Sequence, residues 1–147
     1  MGRKTARDGG QTAKAIASQI EQTEKQLKAH SDVRCHAVAN RLSAAREAFL
    51  DVVEFFVTES KTNPNAVYAG SVPYLMLAGN VMAGWQMARA MLVALEHIAK
   101  GDDVAFMQAK VTTARFYADH ILSKAPGVRD SIVAGADSVT EMALEAF

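Results

Sequence analysis

The chain has 147 residues, half of them hydrophobic and 22% charged, with sixteen basic side chains balancing sixteen acidic ones. That length and apolar share fit one globular domain with a sizeable core. The neutral balance argues against wrapping nucleic acid, which needs clustered Lys and Arg.

Asp8-Gly9-Gly10 punctuates the start, and a first helix is predicted over Gln11–Lys28. Ile16, Ile20 and Leu27, with Ala13 and Ala17, give it one narrow apolar face. Ser31 and Asp32 supply the next N-cap signal. From there Leu42, Ala45, Phe49, Val52, Val53, Phe56 and Val57 recur at helical spacing, and the helix runs through Glu59. Asn63-Pro64 marks a third start, because Asn caps and Pro suits the first helical position. Pro73 falls inside that segment, so a kink or break is expected near Ser71–Val72. Beyond it, Leu75 to Ile98 is apolar on nearly all sides, the signature of a helix surrounded by others. Gly79 and Gly84 cost helix stability, about 1 kcal/mol each, and are therefore expected to have packing reasons.

Gly101 stops this helix near Lys100, and Asp102 or Asp103 is expected to cap the fourth. Val104, Met107, Val111, Ala114, Ala118, Ile121 and Leu122 form its stripe, and Ala125-Pro126-Gly127 is expected to end it. A tail of two short helical turns, Val128–Val133 and Ser138–Leu144, follows. Nothing reads as strand. The expected fold is all-α, an up-and-down four-helix bundle with a short helical C-terminal tail.

Sites of chemistry are scarce. There is no apolar leader at the N-terminus. The membrane-like stretch Tyr74–Leu95 contains Asn80, Gln86 and Arg89 and reads as a buried helix rather than a span. Cys35, the single cysteine, cannot form an internal disulfide, fits a reducing cytoplasmic setting, and reads as a small half-buried residue. His30, His36, His97 and His120 lack metal-ligand spacing and read as rim residues. Glu47, Asp51 and Glu54 read as a solvated face. No metal ligand and no catalytic residue is assigned. Arg115 and Tyr117 on the fourth helix, with Arg89 on the third, are the candidate ligand or partner contacts; for Arg115 and Tyr117, joining bundle helices to each other is the favoured reading.

Three stretches carry a resemblance. They are Val72-Pro73-Tyr74-Leu75 with Gly84-Trp85 and Ala88-Arg89; Lys110 through Ala118, reading KVTTARFYA; and Ile132 through Val139, reading IVAGADSV. Together they resemble the C-terminal region of long bacterial acyl-CoA dehydrogenases, the methylthiopropanoyl-CoA dehydrogenase group among them, which carry an extra helical domain after the catalytic core. The opening Gly2-Arg3-Lys4 and Arg7-Asp8-Gly9-Gly10 resembles the end of that core, so the likeness spans nearly the whole chain. It divides the chain into residues 1–30, the end of the flavoprotein core and a linking helix, and residues 31–147, the bundle, in one compact unit.

What the resemblance implies is FAD-dependent α,β-dehydrogenation of an acyl-CoA by the full-length family. A glutamate there takes the α-proton, and the flavin accepts the β-hydride. The family places that glutamate in a Tyr-Glu-Gly-Thr-type motif just ahead of the Gly-Arg-Lys segment. No catalytic or FAD-binding residue therefore carries over, and no cofactor is expected in this chain alone. Its expected partners are the dehydrogenase core and neighbouring subunits in a homo-oligomer, with a role in packing or in shaping the substrate entrance. Two alternatives stand beside it: a stand-alone helical interaction protein that self-associates, and an acyl-chain carrier.

Overall fold

A computed structural model describes residues 2–139 and 141–146, and the regular structure among them is all helical. The helices are α1 (Gly2–Arg7), α2 (Gln11–Ala29), α3 (Val33–Thr62), α4 (Pro64–Ala69), α5 (Ser71–Lys100), α6 (Val104–His120) and α7 (Ala125–Val133). The four long ones, α2, α3, α5 and α6, run up and down through short connections, as the punctuation predicts. None of the described helices is long and apolar enough to cross a membrane.

Helix α3 runs through the middle and touches every other helix, α2 most extensively. Its buried positions explain why. Cys35, Leu42, Phe49 and Phe56 recur every seven residues, as do Val38, Ala45 and Val52. A seven-residue repeat keeps one seam facing its partners along a long helix, the geometry of bundle packing. Across from that seam lie Ile20 and Leu27 of α2, Leu77, Val81 and Met91 of α5, and Val111 and Ala114 of α6.

Helix ends follow the local chemistry. The Asp32 side chain caps α3 by accepting the Arg34 amide at 2.9 Å, and it also receives the Arg34 guanidinium. That guanidinium, ahead of the capping amide, holds the Asp32 carboxyl down at about 2. Asp32→Ala should cost about 1 kcal/mol at pH 7. A carboxyl whose pKa is depressed on folding stabilises above its unfolded value and loses that contribution as protons bind. The difference between wild type and variant should therefore shrink as pH falls from about 4 towards 2, in urea titrations at each pH. At the far end of α5, Gly101 adopts φ 79°, and the Gly101 and Asp102 amides close back on the Ile98 and His97 carbonyls. This is the αL glycine closure that satisfies a helix's last carbonyls.

The break expected near Ser71–Val72 falls at Gly70, immediately before α5. Pro73 sits in the first turn of α5, where its missing N–H leaves no bond unmade. Asp103 does precede α6, but in a left-handed conformation (φ 41°) and without a side-chain capping bond. Ala125-Pro126-Gly127 opens α7 instead of ending the fourth helix, because Pro is accepted in a first turn. α6 itself stops at His120, before a short 3-10 turn at Leu122–Lys124. Of the turn expected over Ser138–Leu144, Thr140 lies outside the described residues, and 3-10 turns form at Asp137–Val139 and Leu144–Ala146.

A further correction bears on function. Helix α5 is not surrounded. Val72, Leu75 and Met76 are 71%, 53% and 61% exposed, and Gly79 continues their face one turn on. The two helical glycines thus differ. A Cβ at Gly84 would sit 2.7 Å from both terminal carbons of the buried Leu122, so that glycine admits a neighbour. A Cβ at Gly79 would meet nothing within 4 Å. Gly79→Ala should stabilise the chain by about 0.5–1 kcal/mol. Gly84→Leu should destabilise it by roughly 1–3 kcal/mol through overpacking. Urea unfolding of the two variants checks both signs.

Candidate functional site

A groove of about 550 Å³ lies where α1 and α2 approach α5 across α3. Its walls are apolar: Ala13 and Ile16 of α2, Phe49 of α3, and Tyr74, Ala78 and Met82 of α5. The Tyr74 ring is 2% exposed and packs on Phe49 and Phe56, with centroids at 6.0 and 4.7 Å. Its hydroxyl shares a 3.1 Å hydrogen bond with the Thr5 hydroxyl, and burial pushes its pKa up, so it stays neutral. Lys4 and Arg7 of α1 border the groove and are exposed. Asp8, also on its border, is occupied at the start of α2. It accepts the Gly10 amide with one oxygen, and the Thr12 amide and hydroxyl with the other. The Thr12 hydroxyl, first among these, holds the Asp8 carboxyl below its ordinary value.

A polar clasp stands behind the groove. Glu24 of α2 is 2% exposed and takes both arms of the Arg46 guanidinium of α3, at 2.8 and 3.1 Å. One residue earlier, Thr23 accepts the Trp85 indole N–H of α5 at 2.8 Å. α2 is thereby tied to both of its neighbours. Sequence reasoning missed this pair, although its signal was present: Glu24 falls on the apolar stripe, four residues after Ile20 and three before Leu27.

The candidate contact residues lie elsewhere. Arg115 pairs with Asp119 one turn along α6, and Arg41 of α3 approaches the same carboxylate at 3.7 Å. The Arg115 guanidinium lowers the Asp119 pKa. The Tyr117 hydroxyl donates to the Asn80 carbonyl at 3.3 Å and so joins α6 to α5. Arg89, on α5, bonds to Gln86 and lies over the Trp85 ring at 5.5 Å. No described interaction brings Arg89 to Arg115 or Tyr117, and none of the three borders the groove.

Other reactive groups are placed for structure. Cys35 is fully buried, not half-buried, and burial pushes its thiol up to about 11. The described residues contain no cluster of His, Cys, Asp or Glu able to hold a metal ion. Glu47, Asp51 and Glu54 are exposed, and Asp51 and Glu54 face Arg129 and Lys14. The starts of α2 and α3 are held by the Asp8 and Asp32 carboxylates.

Comparison with known proteins places the chain. Residues 12–143 match the family model described as acetyl-CoA dehydrogenase C-terminal like. The chain is 38% identical over 144 residues to the 3-methylmercaptopropionyl-CoA dehydrogenase of Ruegeria pomeroyi, covering 98% of this chain and 24% of that protein. It is 29% identical over 164 residues to the broad-specificity linear acyl-CoA dehydrogenase FadE5 of Mycobacterium tuberculosis, covering 99% of this chain and 25% of that protein. The chain thus spans about a quarter of the length of the curated relatives it matches. With an all-helical bundle and a family match over nearly its whole length, this chain belongs to the acyl-CoA dehydrogenase C-terminal family.

Proposed function

We propose that this domain is the accessory C-terminal bundle of an FAD-dependent acyl-CoA dehydrogenase, packing on the catalytic core and bounding its substrate entrance. The flavin and the catalytic glutamate belong to the rest of such an enzyme, a cytoplasmic homo-oligomer. Residues 1–30 lead from the flavoprotein core into the bundle of residues 31–147.

The observation that carries this reading is the apolar face of α5. Val72, Leu75, Met76 and Gly79 fall at i, i+3, i+4 and i+7, one face of one helix, and Tyr68 of α4, 71% exposed, extends it. A contiguous apolar face of this kind marks an interaction surface. Gly79, unexplained within the chain, lets another helix approach closely there. Arg89, farther along α5, and Arg115 and Tyr117 of α6 are the candidate polar contacts to a neighbouring subunit.

The test mixes this chain with the Ruegeria pomeroyi dehydrogenase lacking the segment that matches it, and measures association by sedimentation. A complex should form, and Leu75→Lys with Met76→Lys should weaken it at least tenfold, since two buried apolar side chains become buried charges. Association that is unaffected by the two lysines would refute the assignment of the face. Self-association of the chain alone, abolished by the same lysines, would favour the stand-alone oligomer.

A further inference from the structure

Helix α6 carries a second apolar face, apart from the one on α5, that no described residue covers. We propose that this face binds a second copy of the chain, α6 against α6 in antiparallel register, and so joins two subunits. The proposal rests on the homo-oligomer proposed above only for the presence of a second subunit, and it leaves the α5 face to the core.

The face is built from few residues. Phe106 and Phe116 are 52% and 58% exposed, and Ala109 and Thr113 between them are exposed as well. Positions 106, 109, 113 and 116 fall at i, i+3, i+7 and i+10, one side of a helix. Thr112 and Thr113 donate their hydroxyls to the Gln108 and Ala109 carbonyls, at 3.0 and 2.9 Å. They offer a partner only methyl groups and ask no hydrogen bond of it. The centre of the face is thus small and apolar, with an aromatic ring on either side. The two rings are about 15 Å apart along the axis.

Symmetry selects a second copy as the occupant. A two-fold interface needs a surface complementary to itself. Phe106 and Phe116 are equally far in sequence from Val111, and so are Ala109 and Thr113. An antiparallel copy centred there sets Phe106 against Phe116 of the second copy, and Ala109 against its Thr113, with each pairing made twice. Ring pairs fill the outer layers, and the small residues let the two axes come close at the middle. Charge agrees with the same register. The exposed acids Asp102 and Asp103 stand ahead of α6, and its last residue is the exposed His120, whose ring lies 4.5 Å from that of Phe116. Asp102 reaches His97 of its own chain at 3.4 Å, while Asp103 caps no amide. Antiparallel pairing brings each His120 imidazole to the acids of the other copy, where a parallel pairing would bring acid to acid. Lys110, held over the Phe106 ring at 4.7 Å, opposes the pairing, because it approaches its own copy near the two-fold.

One helix face buries less than the roughly 1,000 Å² of a stable interface. The isolated chain should therefore dimerise weakly, at concentrations on the order of 100 µM. The test is sedimentation equilibrium of the purified 147-residue chain up to about 1 mM. Phe106→Glu with Phe116→Glu should weaken the dimer at least tenfold, since apolar contacts become like-charge contacts. Lys110→Ala should tighten it by roughly two- to fivefold. Leu75→Lys with Met76→Lys should leave it unchanged, which separates it from the α5 face. Register is read by cross-linking, for which the fully buried Cys35 is silent. Oxidation of an equal mixture of Ala109→Cys and Thr113→Cys chains should give the mixed disulfide above its statistical share. A strict monomer, a dimer indifferent to the two glutamates, or one lost with the α5 lysines overturns the proposal. Homodimeric disulfides in excess would mean a parallel pairing and would overturn it too. Association with the core is measured separately and stands or falls on the α5 lysines.

Discussion

Arg46→Met should lower the unfolding free energy by about 3–5 kcal/mol, because it strands the Glu24 carboxylate in the core. Glu24 is 2% exposed, and Arg46 donates to both of its oxygens. Removing the guanidinium leaves a charge with neither water nor a partner. Restoring neutrality should restore most of the loss: in Glu24→Leu with Arg46→Met, well-packed apolar side chains replace a buried pair at little net cost. Trp85, the single tryptophan, bonds to Thr23 beside the clasp and reports the docking of α2 directly. Urea unfolding followed by its fluorescence measures both variants. A single variant within 1 kcal/mol of wild type would mean that the pair is solvated.

Phe56→Ala should cost about 3–5 kcal/mol, the usual range for a buried aromatic truncated to a methyl group. Its ring is fully buried, lies 4.7 Å from Tyr74 and meets Phe55 edge-on at 6.1 Å. A Cβ at Gly70 would come within 3.3 Å of that ring, so the connection between α4 and α5 is moulded on it. The surroundings are helices held along their length, so the cavity cannot collapse cheaply. For a domain of this size the loss corresponds to a fall in Tm of roughly 6–20 °C. Calorimetric melting checks it.

Much of the fold was legible because long helices repeat their signals. The seven-residue recurrence through Phe49 and Phe56 fixed α3, and Asn63-Pro64 and Gly101 fixed boundaries through local backbone chemistry. Ala125-Pro126-Gly127 reads as a terminator but lies in a first turn, and only the neighbouring geometry tells a start from a stop. The apolar surround of α5 misled because an exposed apolar face has the same composition as one that packs within. The groove was harder still. Lys4 and Arg7 are about seventy residues from Tyr74 and Ala78 in sequence, and no spacing rule relates them. The clasp was within reach, since a glutamate on an apolar stripe needs a cation opposite.

The buried Glu24–Arg46 pair serves the domain's own assembly, and an apolar face of α5 lies outward. In the proposed function the bundle supports an acyl-CoA dehydrogenase core without performing the chemistry itself. Turnover of an acyl-CoA with added FAD and an artificial electron acceptor tests this most directly, measured for this chain alone, for a relative's core without its matching segment, and for the two together. The account predicts no turnover by the chain alone and a higher rate for the core once the chain is added. Reduction of the acceptor by the chain alone would contradict it.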